Sequence, residues 1–162
     1  MTSLPRTNTP PPLESPDAGR AALAHSPIQF CIQSLTGKRL RKHADYQRAY
    51  AGSRKRQSAS MSWFLARQMP AYAGAQMPAG PRVGLTAGKV LGKAHERNRI
   101  KRRMREALRR HVELLPERFD LILHPRRFVL TLEFAKLEAE IVRILHQARA
   151  EAARMSQEVP GI

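Results

Sequence analysis

Between Lys93 and Leu115 the chain carries a stretch that is cationic on one side and apolar on the other, and this restricts the fold more than any other feature. At about 100° per residue, with Ile100 at zero, Ala107, Met104, Leu115, Leu108 and Val112 fall within one arc from about −20° to 120°. Arg99, Arg102, Arg103, Arg105, Arg109 and Arg110 fill the opposite side and Lys101 borders the arc. The pattern predicts a helix from Lys93 to Leu115, stopped by Pro116, with one face in a core and the other presenting guanidinium groups. Arg97 projects near the apolar side at the first turn and is expected to reach around the helix end and bond locally. A basic zipper would continue into leucine heptads, whereas Pro116 and a strand-like segment follow here.

The net charge of +16 lies in two blocks. Residues 37–56 hold eight basic and one acidic group, residues 82–110 hold eleven basic and two acidic, and the rest of the chain is neutral overall. Such an excess is self-repelling in a compact chain, so a polyanionic partner is expected, with nucleic acid the leading candidate. No apolar run approaches the roughly 18–20 residues needed to cross a bilayer. Cys31 is the sole cysteine, and no Cys/His pairing has zinc-site spacing, which fits a reducing cytoplasm.

The first 36 residues, with half of the prolines, bury too little to offset ordering entropy and read as mostly disordered. A domain is expected over 37–153, with a flexible tail at 154–162. His43–Ala51 reads as a short helix with Asp45 in its first turn and Tyr46 and Tyr50 on one face. Met61–Arg67 and Arg82–Ala87 read as strands, the latter with Val83, Leu85 and Ala87 on one face. Phe119–Leu123 reads as a buried strand. Thr131 is placed as the cap of a last helix whose first turn holds Glu133, with Phe134, Leu137, Ile141, Ile144, Leu145 and Ala148 as its buried stripe. The class is α+β, a small central sheet packed with helices.

Several chemistries lose their footing. Gly84–Val90 resembles a phosphate-cradling P-loop, but Val83 stands where the first glycine is required and Val90 replaces the Mg²⁺-binding hydroxyl. None of the six histidines pairs at metal-ligand helical spacing, so no protein-held metal is expected, and no nucleophile elbow occurs, so no catalytic residue is assigned. What remains is arginine chemistry. The run Arg97 to Arg105 places guanidinium forks along one ridge, where each can take a phosphate bidentately. A plain solvated basic face, or a nuclear-localisation-like cluster, is the competing reading of charge alone.

The stretch from Arg82 to Leu108, RVGLTAGKVLGKAHERNRIKRRMREAL, resembles the signature of the bacterial ribonuclease P protein family. There a strand of the form R-x-G-[FL] leads through a K-x-x-G turn, here Lys89 to Gly92, into a helix opening R-N-R-I-K-R-x-x-R. The resemblance extends upstream to Arg39–Tyr50, where the family has a basic stretch and then D-[FY]-x-x-[VA]-[FY], and covers about Lys38 to Arg149. Gly88-Lys89-Val90 departs from the family's usual Ser-Lys-Lys, Lys93 stands at a position often Asn, and His95 stands at one commonly apolar.

The resemblance implies an αβββαβα arrangement like the second domain of ribosomal protein S5, with a left-handed βαβ crossover through the basic helix. It implies the protein subunit of ribonuclease P, which removes the 5′ leader of precursor tRNA. Catalysis would rest with the RNA subunit, with Mg²⁺ held mainly by that RNA and the substrate, and one protein per catalytic RNA. Arg97, Asn98, Arg99, Lys101, Arg102, Arg103 and Arg105 match the motif that contacts the catalytic RNA; Asn98 could equally tie the turn to the helix. Tyr46 and Tyr50 match aromatics of a leader-binding cleft, lined by Arg41, Lys42 and Arg48; plain core packing is their alternative role. Trp63 or Phe64 would floor that cleft, and strand alternation puts the two on opposite faces. A basic protein of the ribosome or nucleoid, and a stand-alone nuclease, are the rival functions.

Overall fold

The structure, a computed structural model, describes residues 34–70, 73–78 and 80–157. Almost all of the proline-rich front and the last five residues lie outside the described residues. The elements run α1 (His43–Ala51), β1 (Arg56–Gln57), β2 (Met61–Arg67), β3 (Arg82–Leu85), α2 (Ala94–Arg110), β4 (Phe119–Pro125) and α3 (Phe134–Gln157), which is the αβββαβα order. The sheet order is β1-β2-β4-β3; β2 is antiparallel to both β1 and β4, and β3 runs parallel to β4. A parallel pair cannot be joined by a hairpin, and the long connection between β3 and β4 is the basic helix α2.

Period-2 alternation gives the sheet two unlike faces. Met61, Trp63, Leu65, Val83, Leu121 and Leu123 enter the main core with Ile100, Met104, Ala107 and Leu108 of α2 and Leu137, Ile141, Ile144, Leu145 and Ala148 of α3. The other face presents Phe64, Ala66 and Ile122, which form a smaller cluster with Leu40, Ala49 and the two tyrosines of α1. The six apolar residues of the helical wheel are all buried. The exposed edge of β3 is covered by residues 38–40: the Leu40 N–H donates to the Val83 carbonyl at 3.0 Å, and the Val83 N–H donates to Lys38 at 2.7 Å.

Some boundaries differ from the sequence expectation. The basic helix ends at Arg110 rather than Leu115, because His111 leaves helical geometry (φ −131°, ψ 32°) and a 3₁₀ turn at Val112–Leu114 follows. That turn still delivers Val112 and Leu115 to the core. Strand β3 stops at Leu85 and β4 continues through His124 to Pro125. Thr131 does not cap α3: its hydroxyl donates to the Phe128 carbonyl at 3.2 Å and closes the preceding 3₁₀ turn, Arg127–Leu130. Glu133 lies just before the helix, its carbonyl accepting the Leu137 N–H at 3.0 Å. Helix α3 runs on to Gln157, past the expected boundary at 153, with Ala152 buried and Met155 packed on the core.

Glu140 of α3 is buried and clamps the β1–β2 turn. Its carboxylate accepts the Ser60 N–H at 2.8 Å and the hydroxyls of Ser58 and Ser60. Burial works to raise its pKa, but these donors outweigh burial and hold it below the usual carboxylate value. Glu140→Ala leaves a buried N–H without an acceptor and is expected to cost about 1–3 kcal/mol, read as a lower urea midpoint at unchanged m-value.

Candidate nucleic-acid interface

Helix α1 has few apolar residues, and an ion-pair network holds it to the sheet. Arg82 of β3 makes a bidentate bond to Asp120 of β4 (2.8 and 2.7 Å) and reaches Asp45 of α1 at 3.4 Å. Burial works against the Arg82 charge, yet the two carboxylates raise its pKa above the ordinary arginine value. Two residues along the same strand face, Gly84 provides a seat for Tyr46. A Cβ there would lie 2.7 Å from Tyr46 Cε1 and 2.9 Å from its Oη, so the ring lies directly on the strand backbone. The Tyr46 hydroxyl donates to the Leu40 carbonyl at 3.3 Å. Burial, and then the neighbouring Tyr50, raise its pKa.

Tyr46 and Tyr50 therefore open a half-buried aromatic surface rather than a closed core. Their ring centroids are 6.4 Å apart; Phe64 meets Tyr50 edge-on at 5.1 Å, and His124 lies 5.6 Å from Tyr50 and 5.2 Å from Phe64. The Tyr50 hydroxyl and His124 Nε2 are 2.8 Å apart, with Thr86 Oγ1 at 3.4 Å on the other side. His124 escaped sequence reasoning because the strand was ended at Leu123. One more step of alternation would have put it on this face. Trp63 is corrected out of the cleft: it is 2% exposed in the main core on the opposite face, with the Arg56 guanidinium 5.2 Å over its ring. Phe64 alone of that pair belongs to the cleft. Arg41 and Lys42 are exposed at the start of α1, while Arg48 is ion-paired to Asp45 on its own helix.

The turn into α2 is built on Gly92, at φ +120°, a conformation glycine adopts readily. A Cβ would collide with the Glu96 carboxylate, which reaches back to accept the Lys93 N–H at 2.7 Å. That bond is the main cause of a pKa for Glu96 below the carboxylate norm. Arg97 bonds locally, donating to the Gly92 carbonyl at 3.3 Å. Asn98 is exposed and makes no side-chain hydrogen bond among the described residues. Lys89 is exposed on the 3₁₀ turn, beside Val90, which is 96% exposed.

Along α2 the cations divide into two groups. Arg109 and Arg110 are paired with Glu106, and Arg110 also meets Glu138 and lies 4.9 Å over the Phe134 ring. Arg103, counted from the sequence among the RNA contacts, is committed to the fold. Its guanidinium donates to the carbonyls of Val129 (2.6 Å), Leu130 (2.8 Å) and Leu132. By contrast Arg99, Lys101, Arg102 and Arg105 have no acidic partner among the described residues, and they cluster in the N-terminal two thirds of the helix.

The two basic blocks meet at the β3 edge. Arg39, from the segment before α1, and Lys101 and Arg105, from α2, line one small cavity of about 120 Å³ together with Tyr46. Arg105 Nε is buried with no hydrogen-bond partner among the described residues. Burial first, then the positive charges of Arg39 and Arg102, hold the Arg105 pKa below the ordinary value. The aromatic cleft on one sheet face thus joins the cationic ridge on the other side through Arg39 and Arg105. Among the described residues, no group of three or more His, Cys, Asp or Glu side chains could hold a metal ion, and no helix is long and apolar enough to cross a membrane.

Residues 36–149 match the family model described as Ribonuclease P. The chain belongs to the ribonuclease P protein family. It is 31% identical over 105 residues to the ribonuclease P protein component of Thermobifida fusca, covering 64% of this chain and 70% of that protein. A 43% identity over 70 residues relates it to the component of Chloroflexus aggregans, covering 43% of this chain and 52% of the relative. The fold resembles the ribonuclease P protein from Thermotoga maritima (TM-score 0.55, 23% identity, 67% of this chain and 96% of that one). It also resembles a Staphylococcus aureus RNase P protein mutant with defective mRNA degradation activity (TM-score 0.56, 22% identity, 71% and 91%). Membership of this family assigns the chain to tRNA processing as a protein component of ribonuclease P. In this chain Arg82 is the anchor of α1 and Gly84 the seat of Tyr46.

Gly84→Ala is expected to push the Tyr46 ring off β3 at a cost of about 1–3 kcal/mol, read as a lower urea midpoint with changed Tyr46 side-chain NMR shifts. His124 supplies a pH prediction. Burial, then the charge of Lys55, holds its pKa below the usual 6.5. The stabilisation from its neutral form is therefore complete above about pH 6.5 and is lost as pH falls through the lower folded-state value. Thermal midpoints measured from pH 7.5 to 5 should fall in the wild type and flatten in His124→Gln.

Proposed function

We propose that this chain binds the RNA of ribonuclease P through the ridge Arg97, Arg99, Lys101, Arg102 and Arg105, and holds the 5′ leader of precursor tRNA in the cleft of Tyr46, Tyr50 and Phe64. The observation that carries this reading is the meeting of the two basic blocks at Arg39 and Arg105. Arg39, Lys101 and Arg105 line one small cavity with Tyr46, which places cations between the aromatic cleft and the helix and would let a substrate strand and a structured RNA be held side by side. Half-buried aromatic rings suit an extended single strand, because any base can stack on them without its sequence being read. Arg41 and Lys42 would attract its backbone as exposed charges.

In this reading the protein is an auxiliary subunit that works in the cytoplasm, one copy per RNA. The RNA subunit hydrolyses the phosphodiester to leave a 5′-phosphate on the mature tRNA, with Mg²⁺ held mainly by the RNA and substrate. The chain's own residues bind and align: guanidinium forks take phosphates bidentately, and the tyrosines keep the leader from leaving.

Added to a bacterial ribonuclease P RNA at low Mg²⁺, the full chain should stimulate precursor tRNA cleavage while cutting nothing alone. Absence of stimulation rejects the assignment, and cutting by the protein alone points to a stand-alone nuclease. Within that assay, Arg102→Ala should reduce the slope of log K against log salt by roughly 0.7–0.9, the contribution of one phosphate contact. Arg103→Ala should instead lower the urea midpoint. Tyr50→Ala should weaken precursor tRNA binding and leave mature tRNA binding unchanged; equal weakening of both would assign the tyrosine to folding.

A further inference from the structure

Phe128 is 57% exposed in the 3₁₀ turn Arg127–Leu130. Val129, its neighbour, is fully buried in the main core. Arg103 ties down the carbonyls of Val129, Leu130 and Leu132, and Arg127 is ion-paired to Glu96 at 3.2 Å. The ring is therefore presented to solvent by a fixed backbone. Exposed apolar side chains are ordinary when they stand singly. This one borders an open cavity of about 620 Å³ between the turn and the start of α2, together with His95, Arg99 and Arg127. Glu96, the one carboxylate there, is already engaged by the Lys93 N–H and by Arg127. Arg99 also belongs to the cationic ridge, one helical turn before Arg102.

We propose that Phe128 is a stacking platform for an unpaired base of the RNA bound along α2, with Arg99 holding a phosphate beside it. The inference rests on the proposed function and adds to it a base-contacting site beyond the phosphate ridge and the leader cleft. An aromatic face within a cationic hollow suits a nucleotide, whose base needs a flat apolar surface and whose backbone needs positive charge. The volume is within the usual range for ligand sites, roughly 300–1,000 Å³.

The test uses full-length protein and ribonuclease P RNA, with affinity measured by fluorescence anisotropy over a salt series. Phe128→Ala should weaken binding by about 5- to 100-fold with an unchanged salt slope, since no charge is lost. Phe128→Trp should bind at least as tightly as wild type, and Phe128→Leu, apolar but without a ring face, should bind as weakly as Phe128→Ala. All three variants should keep the wild-type urea midpoint, because the ring belongs to neither hydrophobic cluster of the fold. Wild-type affinity in Phe128→Ala or Phe128→Leu overturns the proposal, as does a change in sedimentation of the RNA-free protein, which would make the ring a contact between copies of the chain. Arg102→Ala in parallel separates the two claims. A reduced slope there with an indifferent Phe128→Ala rejects the platform and keeps the parent reading, whereas a chain that does not bind this RNA in preference to an unrelated one rejects both.

Discussion

Everything on the cleft side of the sheet depends on Arg82 lying between Asp120 and Asp45. Of its apolar surface helix α1 buries only Ala49 and parts of two tyrosines, too little to set its position by itself. The guanidinium sets it instead, with two bonds to β4 and one to the helix, in surroundings where only 15% of its side-chain surface meets solvent. A pair so buried adds little net stability, because desolvation offsets most of the attraction; its effect is on geometry, since a single missing partner would leave a charge stranded. With the helix fixed in this way, Tyr46 can lie on Gly84 and Tyr50 can reach His124. Strand β3 thus carries an anchor and a seat on one face, while Val83 on the other face belongs to the core.

A chain with a net +16 must place many like charges close together, and it does so by sorting them. Arg56 pairs with Glu151, Arg109 and Arg110 with Glu106, Arg127 with Glu96, and Arg103 finds backbone carbonyls. The Glu106 pairs brace α2 along its own length, and the others fasten one element to another. Arg39, Arg99, Lys101, Arg102 and Arg105, which have no acidic partner among the described residues, gather where α2 meets the segment before α1, and like charges there repel. Burial first, and then the charges of Arg39 and Arg102, lower the Arg105 pKa. Concentrating unpaired cations in this way disfavours the isolated protein and favours it beside a polyanion, whose phosphates replace repulsion by charge-assisted bonds.

Much of this was legible in the sequence, for identifiable reasons. The bounds of α1, the seven residues of β2 and the burial of all six arc positions, four on α2 with Val112 and Leu115 just beyond it, follow from period and turn signals, which are local properties. The end of α2 was misplaced because Pro116 is an evident stop, whereas the earlier break at His111 comes with a contact to Glu138, 27 residues away, at 3.0 Å. Thr131 looked like a cap because it precedes an apolar stripe, but a 3₁₀ turn, also non-local in origin, claimed its hydroxyl.

Arginines show the same division most sharply. Arg102 and Arg103 are neighbours in one motif, of one residue type, and differ by about 100° around the helix. That rotation turns one fork to solvent and the other onto three carbonyls of a turn some 26 to 29 residues later. Period can tell that both lie off the apolar arc. It cannot tell that a loop will arrive over one of them, because the loop's path is set by Val129 entering a core that α2 itself helps to build. Residue type therefore identified the surface, and tertiary packing decided which of its cations remained available for a partner. The same packing made Phe128 prominent: Arg103 holds the carbonyls that follow it and Val129 is buried beside it, while its own ring is 57% exposed.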